Sequence, residues 1–261
     1  MTSPVVTAET SGRIATVTLN RPEARNAISR ELKDELSRVM ADIDTDPGVD
    51  VVILTGADPA FCAGLDLKEL GSTGANLGAG SAAGGEVSPY PWTPLSKPVI
   101  GAINGVAVTG GFEIALNCDI LIASDRARFA DTHTRVGVLP GWGLSVLLPL
   151  LVGRGLARRM SLTGDFLTAA DALRAGLVTE VVAHDELIPA ARKIAESIVS
   201  NEQDAVRALL SSYRDIELQQ IGDGYEIEAR TGRAWLDRGF DPAEVERRRQ
   251  GIVNRGRAQT T

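Results

Sequence analysis

Cysteine is nearly absent: Cys62 and Cys118 are the only two in 261 residues. That excludes a disulfide framework and favours a reduced, intracellular setting. Histidine is equally scarce, with only His133 and His184. Two distant histidines and two distant cysteines have no metal-ligand spacing, so no metal is expected. Aromatic residues make up 4% of the chain, which leaves Tyr90, Trp92 and Trp142 as packing residues instead of a base-stacking platform. An excess of positive charge is missing too. The 27 Lys and Arg against 34 Asp and Glu leave a net charge of −7, which argues against a phosphate-backbone binder, and no nucleic-acid partner is expected. The one basic run, residues 244–257, reads first as a solvated helix face and second as an anion contact. Residues 136–153 carry no charge, but they include Pro140, Pro149 and four glycines and sit at the short limit for crossing a bilayer. The opening Met-Thr-Ser-Pro-Val-Val has neither the basic nor the apolar part of a signal peptide. A cytoplasmic chain without a membrane partner is the expectation. There is no GxGxxG or Walker pattern for a nicotinamide or ATP, and no GxSxG elbow for a Ser-His-Asp enzyme.

What is present is an alternation of short apolar runs and amphipathic stretches. Residues 14–19, 51–55, 99–103 and 120–123 read as strands, the last three apolar throughout, as in a sheet covered on both faces. From Ser29 to Asp44 the apolar residues Leu32, Leu36, Val39, Met40 and Ile43 keep a helical period, with Ser29 as N-cap. Thr168 to Asp171 starts another helix and Gly176 stops it. Residues 185–200 carry a helical stripe, and Asp241-Pro242 opens the last helix. These elements predict a layered α/β core. Residues 71–88, almost all Gly, Ala and Ser, read as a mobile loop, either a lid or a disordered segment. His184 falls in a loop before a helix and reads as a surface residue.

Two small-residue turns follow strands. Phe61-Cys-Ala-Gly-Leu-Asp-Leu-Lys68 comes after 51–55, and Asn104-Gly-Val-Ala-Val-Thr-Gly-Gly-Phe-Glu113 runs through Gly110-Gly111 into a helix. Such turns leave backbone N–H groups accessible, and two side by side make an oxyanion hole worth roughly 3 kcal/mol per donor. Close helix–strand packing is the competing reading of Gly110-Gly111.

With Leu19-Asn-Arg-Pro-Glu-Ala-Arg-Asn-Ala27, Lys97-Pro-Val-Ile-Gly-Ala-Ile-Asn-Gly105, Val138-Leu-Pro-Gly141 and Ala172-Leu-Arg-Ala-Gly-Leu-Val178, these motifs make nearly the whole chain resemble the crotonase (enoyl-CoA hydratase/isomerase) superfamily. The resemblance implies a spiral of ββα units with a C-terminal helical region, divided here as a core at residues 1–195 and a trimerisation region at 196–261. It implies an acyl-CoA thioester held by the amides of Leu65 and Gly110, with Ala63, Leu65, Asp66, Leu67, Lys68 and Gly110 binding substrate. No separate cofactor is implied, since coenzyme A belongs to the substrate, and the implied partner is a second copy, in a homotrimer or hexamer. The implied reaction is hydration of a 2-enoyl-CoA to a 3-hydroxyacyl-CoA, with Glu113 as the first catalytic glutamate. The second glutamate is replaced by His133. That leaves three readings: His133 shares the proton transfer, the chain is an isomerase or other thioester-enolate enzyme, or it only binds acyl-CoA. Asp131 orients the imidazole only if the backbone turns between them, because an extended strand would otherwise put both on one face.

Overall fold

The computed structural model describes residues 3–74, 76 and 88–259. Most of the loop expected at 71–88, and with it the lid reading, lies outside the described residues. Its first two residues, Gly71 and Ser72, end a short helix instead.

One sheet has strands β1 (Val6–Ser11), β2 (Ile14–Leu19), β3 (Val51–Gly56), β5 (Val99–Ile103), β7 (Ile120–Ser124) and β10 (Glu180–Val182), in the order β1-β2-β3-β5-β7-β10. The β1–β2 pair is antiparallel and the rest are parallel. The second sheet, β4-β6-β8-β9, consists of β4 (Ala60–Cys62), β6 (Val106–Val108), β8 (Arg128–Ala130) and β9 (Leu167–Thr168). The chain therefore alternates between sheets: β3 then β4, β5 then β6, β7 then β8. Each pair is followed by a short helix, respectively α2 (Leu67–Ser72), α3 (Gly110–Leu116) and α4 (His133–Val136). That is the ββα spiral, repeated three times.

Helix α1 (Arg30–Thr45) starts where the sequence predicts, the Ser29 hydroxyl accepting from the Leu32 N–H at 3.2 Å. Its stripe of Leu32, Leu36, Val39, Met40 and Ile43 is buried against β1 and β2. Each such side chain adds roughly 1.5–3 kcal/mol by leaving water. The other end of α1 is held by buried Lys97, whose ammonium donates to the carbonyls of Ile43 and Asp46 at 2.6 Å each. Helices α5 (Leu144–Thr163) and α6 (Ala169–Arg174) follow, α5 being broken at Gly153, which is non-helical with φ 76°. Helix α7 (Leu187–Val199) covers the outer face of the first sheet through Leu187, Ala191 and Ala195. The division at 195/196 thus passes through α7. Three more helices complete the chain: α8 (Gln203–Ile221), α9 (Gly224–Leu236) and α10 (Pro242–Ala258). Asp241 caps α10 as the sequence implies, accepting from the Ala243 N–H. No helix among the described residues is long and apolar enough to cross a membrane. His184, read as a surface loop residue, is half-buried in a short 3-10 turn, hydrogen-bonded to Ser124 at 3.1 Å and to Asp58 at 3.0 Å.

Candidate active site

The three ββα units bring their turns together. In the first, Ile28 donates to the Gly64 carbonyl and accepts from the Asp66 N–H, making a bridge that fixes Leu65 between them. Asn26, buried and in the left-handed region, ties this corner together: its side chain accepts from the Arg21 N–H and donates to the carbonyls of Ala57 and Ala60. In the second unit, Thr109 adopts φ 55°, ψ −119°, a conformation that non-glycine residues avoid at a cost of about 1–3 kcal/mol. It is held there by its N–H on the Ala130 carbonyl and by a 2.6 Å contact between the Thr109 and Thr132 hydroxyls. The sharp turn directs the chain into α3. Among the described residues, neither the Leu65 nor the Gly110 N–H donates to a protein acceptor.

Gly110 and Gly111 have different reasons to be glycine. A Cβ on Gly111 would lie 2.3 Å from the Cys62 carbonyl oxygen, so α3 seats directly on β4. Close packing is right for Gly111. Beside Gly110 lie the Ile28 side chain, the Trp142 ring and Glu113 Oε2, the last 4.0 Å from where a Cβ would stand. The small residue here faces the chemically distinctive groups.

Glu113 and His133 are brought together and buried, each 3% exposed. Glu113 Oε1 accepts from the N–H groups of Gly141 at 3.0 Å and Trp142 at 2.7 Å. Its other oxygen, Oε2, faces His133 Nε2 at 3.3 Å. Beyond the ring, Nδ1 meets Asp131 Oδ1 at 2.7 Å, and the same oxygen accepts the His133 N–H at 3.1 Å. The backbone does turn there: β8 ends at Ala130 and α4 begins at His133. The condition set on Asp131 is met. Burial alone would lower the His133 pKa, but the charge of Glu113, the hydrogen bonds to Asp131 and Glu113 and the charge of Asp131 outweigh it and lift it to about 10. The ring is an imidazolium at neutral pH, with both N–H groups directed at carboxylates. Asp131 is shifted the other way. Burial opposes its charge, yet the hydrogen bond and charge of His133 hold its pKa below the usual carboxylate range.

A cavity of about 530 Å³ opens beside this line, bounded by Ala63, Leu65, Asp66, Leu67, Lys68, Thr109 and Thr132. Five of the six residues expected to bind substrate line it; Gly110, Glu113 and His133 do not, although Thr109 and Thr132, the chain neighbours of Gly110 and His133, do. The Asp66 carboxylate has a structural task, capping α2 at the Lys68 and Glu69 N–H groups and pairing with Arg21 at 3.1 Å. Helix α10 forms the opposite wall, with Arg249, Ile252, Val253, Gly256 and Arg257. The basic run is therefore partly a cavity wall, through Arg249 and Arg257, and partly an exposed helix face, where Arg247, Arg248 and Arg255 lie.

The family profile for Enoyl-CoA hydratase/isomerase matches residues 9–234. The chain belongs to the enoyl-CoA hydratase/isomerase family. It is 40% identical over 94% of its length to a probable peroxisomal enoyl-CoA hydratase 1 of Arabidopsis thaliana, covering 91% of that protein. Among solved structures, the enoyl-CoA hydratase of Mycobacterium smegmatis is 58% identical with a TM-score of 0.81, covering 90% of this chain and 99% of that one. That of Mycobacterium avium is 60% identical with a TM-score of 0.82, covering 90% and 98%. Within this family member, sequence reading missed one buried acid. Glu228 of α9 accepts from the Gly143 N–H at 2.7 Å and the Ser145 N–H at 2.8 Å. No local pattern flags it, because its partners are 85 and 83 residues away in the chain.

Proposed function

We propose that this chain adds water to a 2-enoyl-CoA, giving a 3-hydroxyacyl-CoA. The observation that carries the reading is the buried line from Glu113 through His133 to Asp131, with one Glu113 oxygen held by backbone amides and the other facing His133 Nε2. The thioester oxygen sits between the N–H groups of Leu65 and Gly110, where negative charge develops; each donor contributes roughly 3 kcal/mol. Glu113 Oε2 takes a proton from water as the water oxygen bonds to the β-carbon. The His133 Nε2–H gives its proton to the α-carbon as the enolate collapses. Glu113 is then protonated and His133 neutral, and the 3.3 Å separation of Oε2 and Nε2 lets one proton pass between them to restore the starting state. Asp131 holds Nδ1–H throughout, which fixes the ring and favours the imidazolium. The coenzyme A phosphates are met by cations of the cavity, among them Arg25, Lys68, Arg249 and Arg257. Relatives named as enoyl-CoA hydratases support this reading over isomerisation.

The direct test is loss of the 2-enoyl thioester absorbance when purified protein meets crotonyl-CoA or longer 2-enoyl-CoAs, with the 3-hydroxyacyl product identified by mass. Acyl-CoA binding without turnover at any chain length would replace the hydratase reading with the binding-only one.

The functional unit is a homotrimer or a hexamer of two trimers. Large apolar side chains stand exposed on α5, α8 and α9: Leu150, Leu151, Leu209, Tyr213, Ile216 and Ile227. Exposed apolar side chains on this scale are what a protein contact would cover. Sedimentation of the purified chain is expected to give a single species of three or six chains; a monomer at micromolar concentration would refute it.

A further inference from the structure

The turn that holds Glu113 is itself held from the other side. Residues 141–145 send four N–H groups to two buried carboxylates from different helices: Gly141 and Trp142 to Glu113 of α3, Gly143 and Ser145 to Glu228 of α9. Helix α9 follows the same stretch along its length. Gly224 packs close to Val146, the Tyr225 ring lies against Gly143, Gly232 passes the Pro140 carbonyl, and Trp235 donates its indole N–H to the Gly137 carbonyl at 2.9 Å. Positions 224, 225, 228, 232 and 235 fall within about 100° of one another on a helix of 3.6 residues per turn. One face of α9 is thus devoted to residues 137–146.

From this geometry we propose that Glu228 is a positioning residue for Glu113: it anchors the turn so that the Gly141 and Trp142 N–H groups stay on Oε1, keeping Oε2 turned to His133 as the oxygen that exchanges protons. The role rests on the hydratase reading for its kinetic consequence, but the anchoring itself does not. Gly143 has φ 87°, a conformation that glycine enters freely but does not lock, and the carboxylate supplies two charge-assisted hydrogen bonds to keep it. Burial and the nearby negative charge of Glu113 both push the Glu228 pKa up. A buried acid repelled by its neighbour is retained against an energetic cost, which its four-amide link to Glu113 accounts for. The competing explanation is that Glu228 only caps the start of α5, to which Ser145 belongs.

Two measurements separate these. The first is amide exchange in Glu228→Gln, in which one carboxylate oxygen becomes an NH₂ that cannot accept. Positioning predicts that protection falls at Gly141 and Trp142 as well as at Gly143 and Ser145. A simple cap predicts loss at Gly143 and Ser145 alone, and that result would overturn the proposal. The second is kinetic: kcat falls about tenfold or more with KM nearly unchanged, and adding Glu228→Gln to Glu113→Gln lowers kcat no further, since residues that act as a unit are non-additive. Additive losses would also overturn it. If wild-type protein turns nothing over, the hydratase reading fails, and the exchange pattern still decides the positioning. Should Glu228→Gln not fold, Glu228→Asp, too short to span both amides, is read by the same exchange comparison.

Discussion

Glu113→Gln is expected to lower kcat for 2-enoyl-CoA hydration by roughly 10²- to 10⁴-fold, the contribution of a positioned acid–base group. In barrier terms that is about 2.7–5.4 kcal/mol. The substitution is nearly isosteric. The remaining carbonyl oxygen still accepts from Gly141 and Trp142, which donate to Oε1 in the wild type. What replaces Oε2 is an NH₂ that takes no proton and meets the His133 Nε2–H donor to donor. The cavity walls proposed to hold acyl-CoA, among them Leu65 to Lys68 and α10, are formed by other residues, so KM is expected to move by only about twofold. Stopped-flow absorbance of the enoyl thioester reads both quantities. A variant retaining more than about a tenth of wild-type kcat would remove Glu113 from the role of base.

His133→Ala carries the second large effect, on rate and on stability together. The rate is expected to fall by roughly 10²-fold or more, because the proton for the α-carbon then has no donor within the site. Acyl-CoA affinity, measured by calorimetry, stays close to the wild-type value. An unchanged rate would retire His133 as a proton carrier. Stability falls because Glu113 and Asp131 remain buried with the cation between them removed; breaking a buried ion pair typically costs about 3–5 kcal/mol. The pH dependence gives an independent check. The folded pKa of His133 is raised to about 10 from about 6.5 in an unfolded chain. Its stabilisation is therefore complete below about pH 6.5 and is lost as pH rises through about 10. Asp131 is depressed, so its share is present above about pH 3.9 and disappears as pH falls through its folded value. The gap in Tm between wild type and His133→Ala should accordingly be widest in mildly acidic solution and close toward pH 10. A gap that widens steadily with alkalinity would contradict the imidazolium assignment.

How much of this was legible depended on the range of the interactions involved. The long strands of the first sheet announced themselves, since β3, β5 and β7 are runs of mostly apolar residues that are almost entirely buried. The second sheet did not. Its strands β4, β6 and β8 are three residues each, too short for any periodicity, and they read only as parts of turn motifs. Ser29 and Asp241 were found because a cap acts on residues two or three positions away. Asp131 stayed conditional because its role turns on whether the backbone remains extended past Ala130, and the phases of a strand and of a tight turn predict opposite outcomes. Glu228 could not be found at all: its environment is created by α9 returning to a turn more than eighty residues earlier. Helix α10 returns likewise, packing on Leu70 and Val136 through Val245 and lining the cavity through Ile252, so a C-terminal helix, expected from the resemblance to serve association, builds part of the candidate site.

The threefold ββα repeat divides the chemistry among its units. The first contributes the Leu65 amide, the second the Gly110 amide and Glu113, the third Asp131 and His133, each from the junction between a short strand and the following helix. In the proposed reaction the first unit only holds the thioester oxygen, the third only moves protons, and the second does both. A new residue at 133 alters the proton chemistry without disturbing the bridge that fixes Leu65 or the strained turn at Thr109. The scaffold can exchange one reaction component at a time, and the resemblance implies one such exchange at position 133, where His133 is paired with the local acid Asp131.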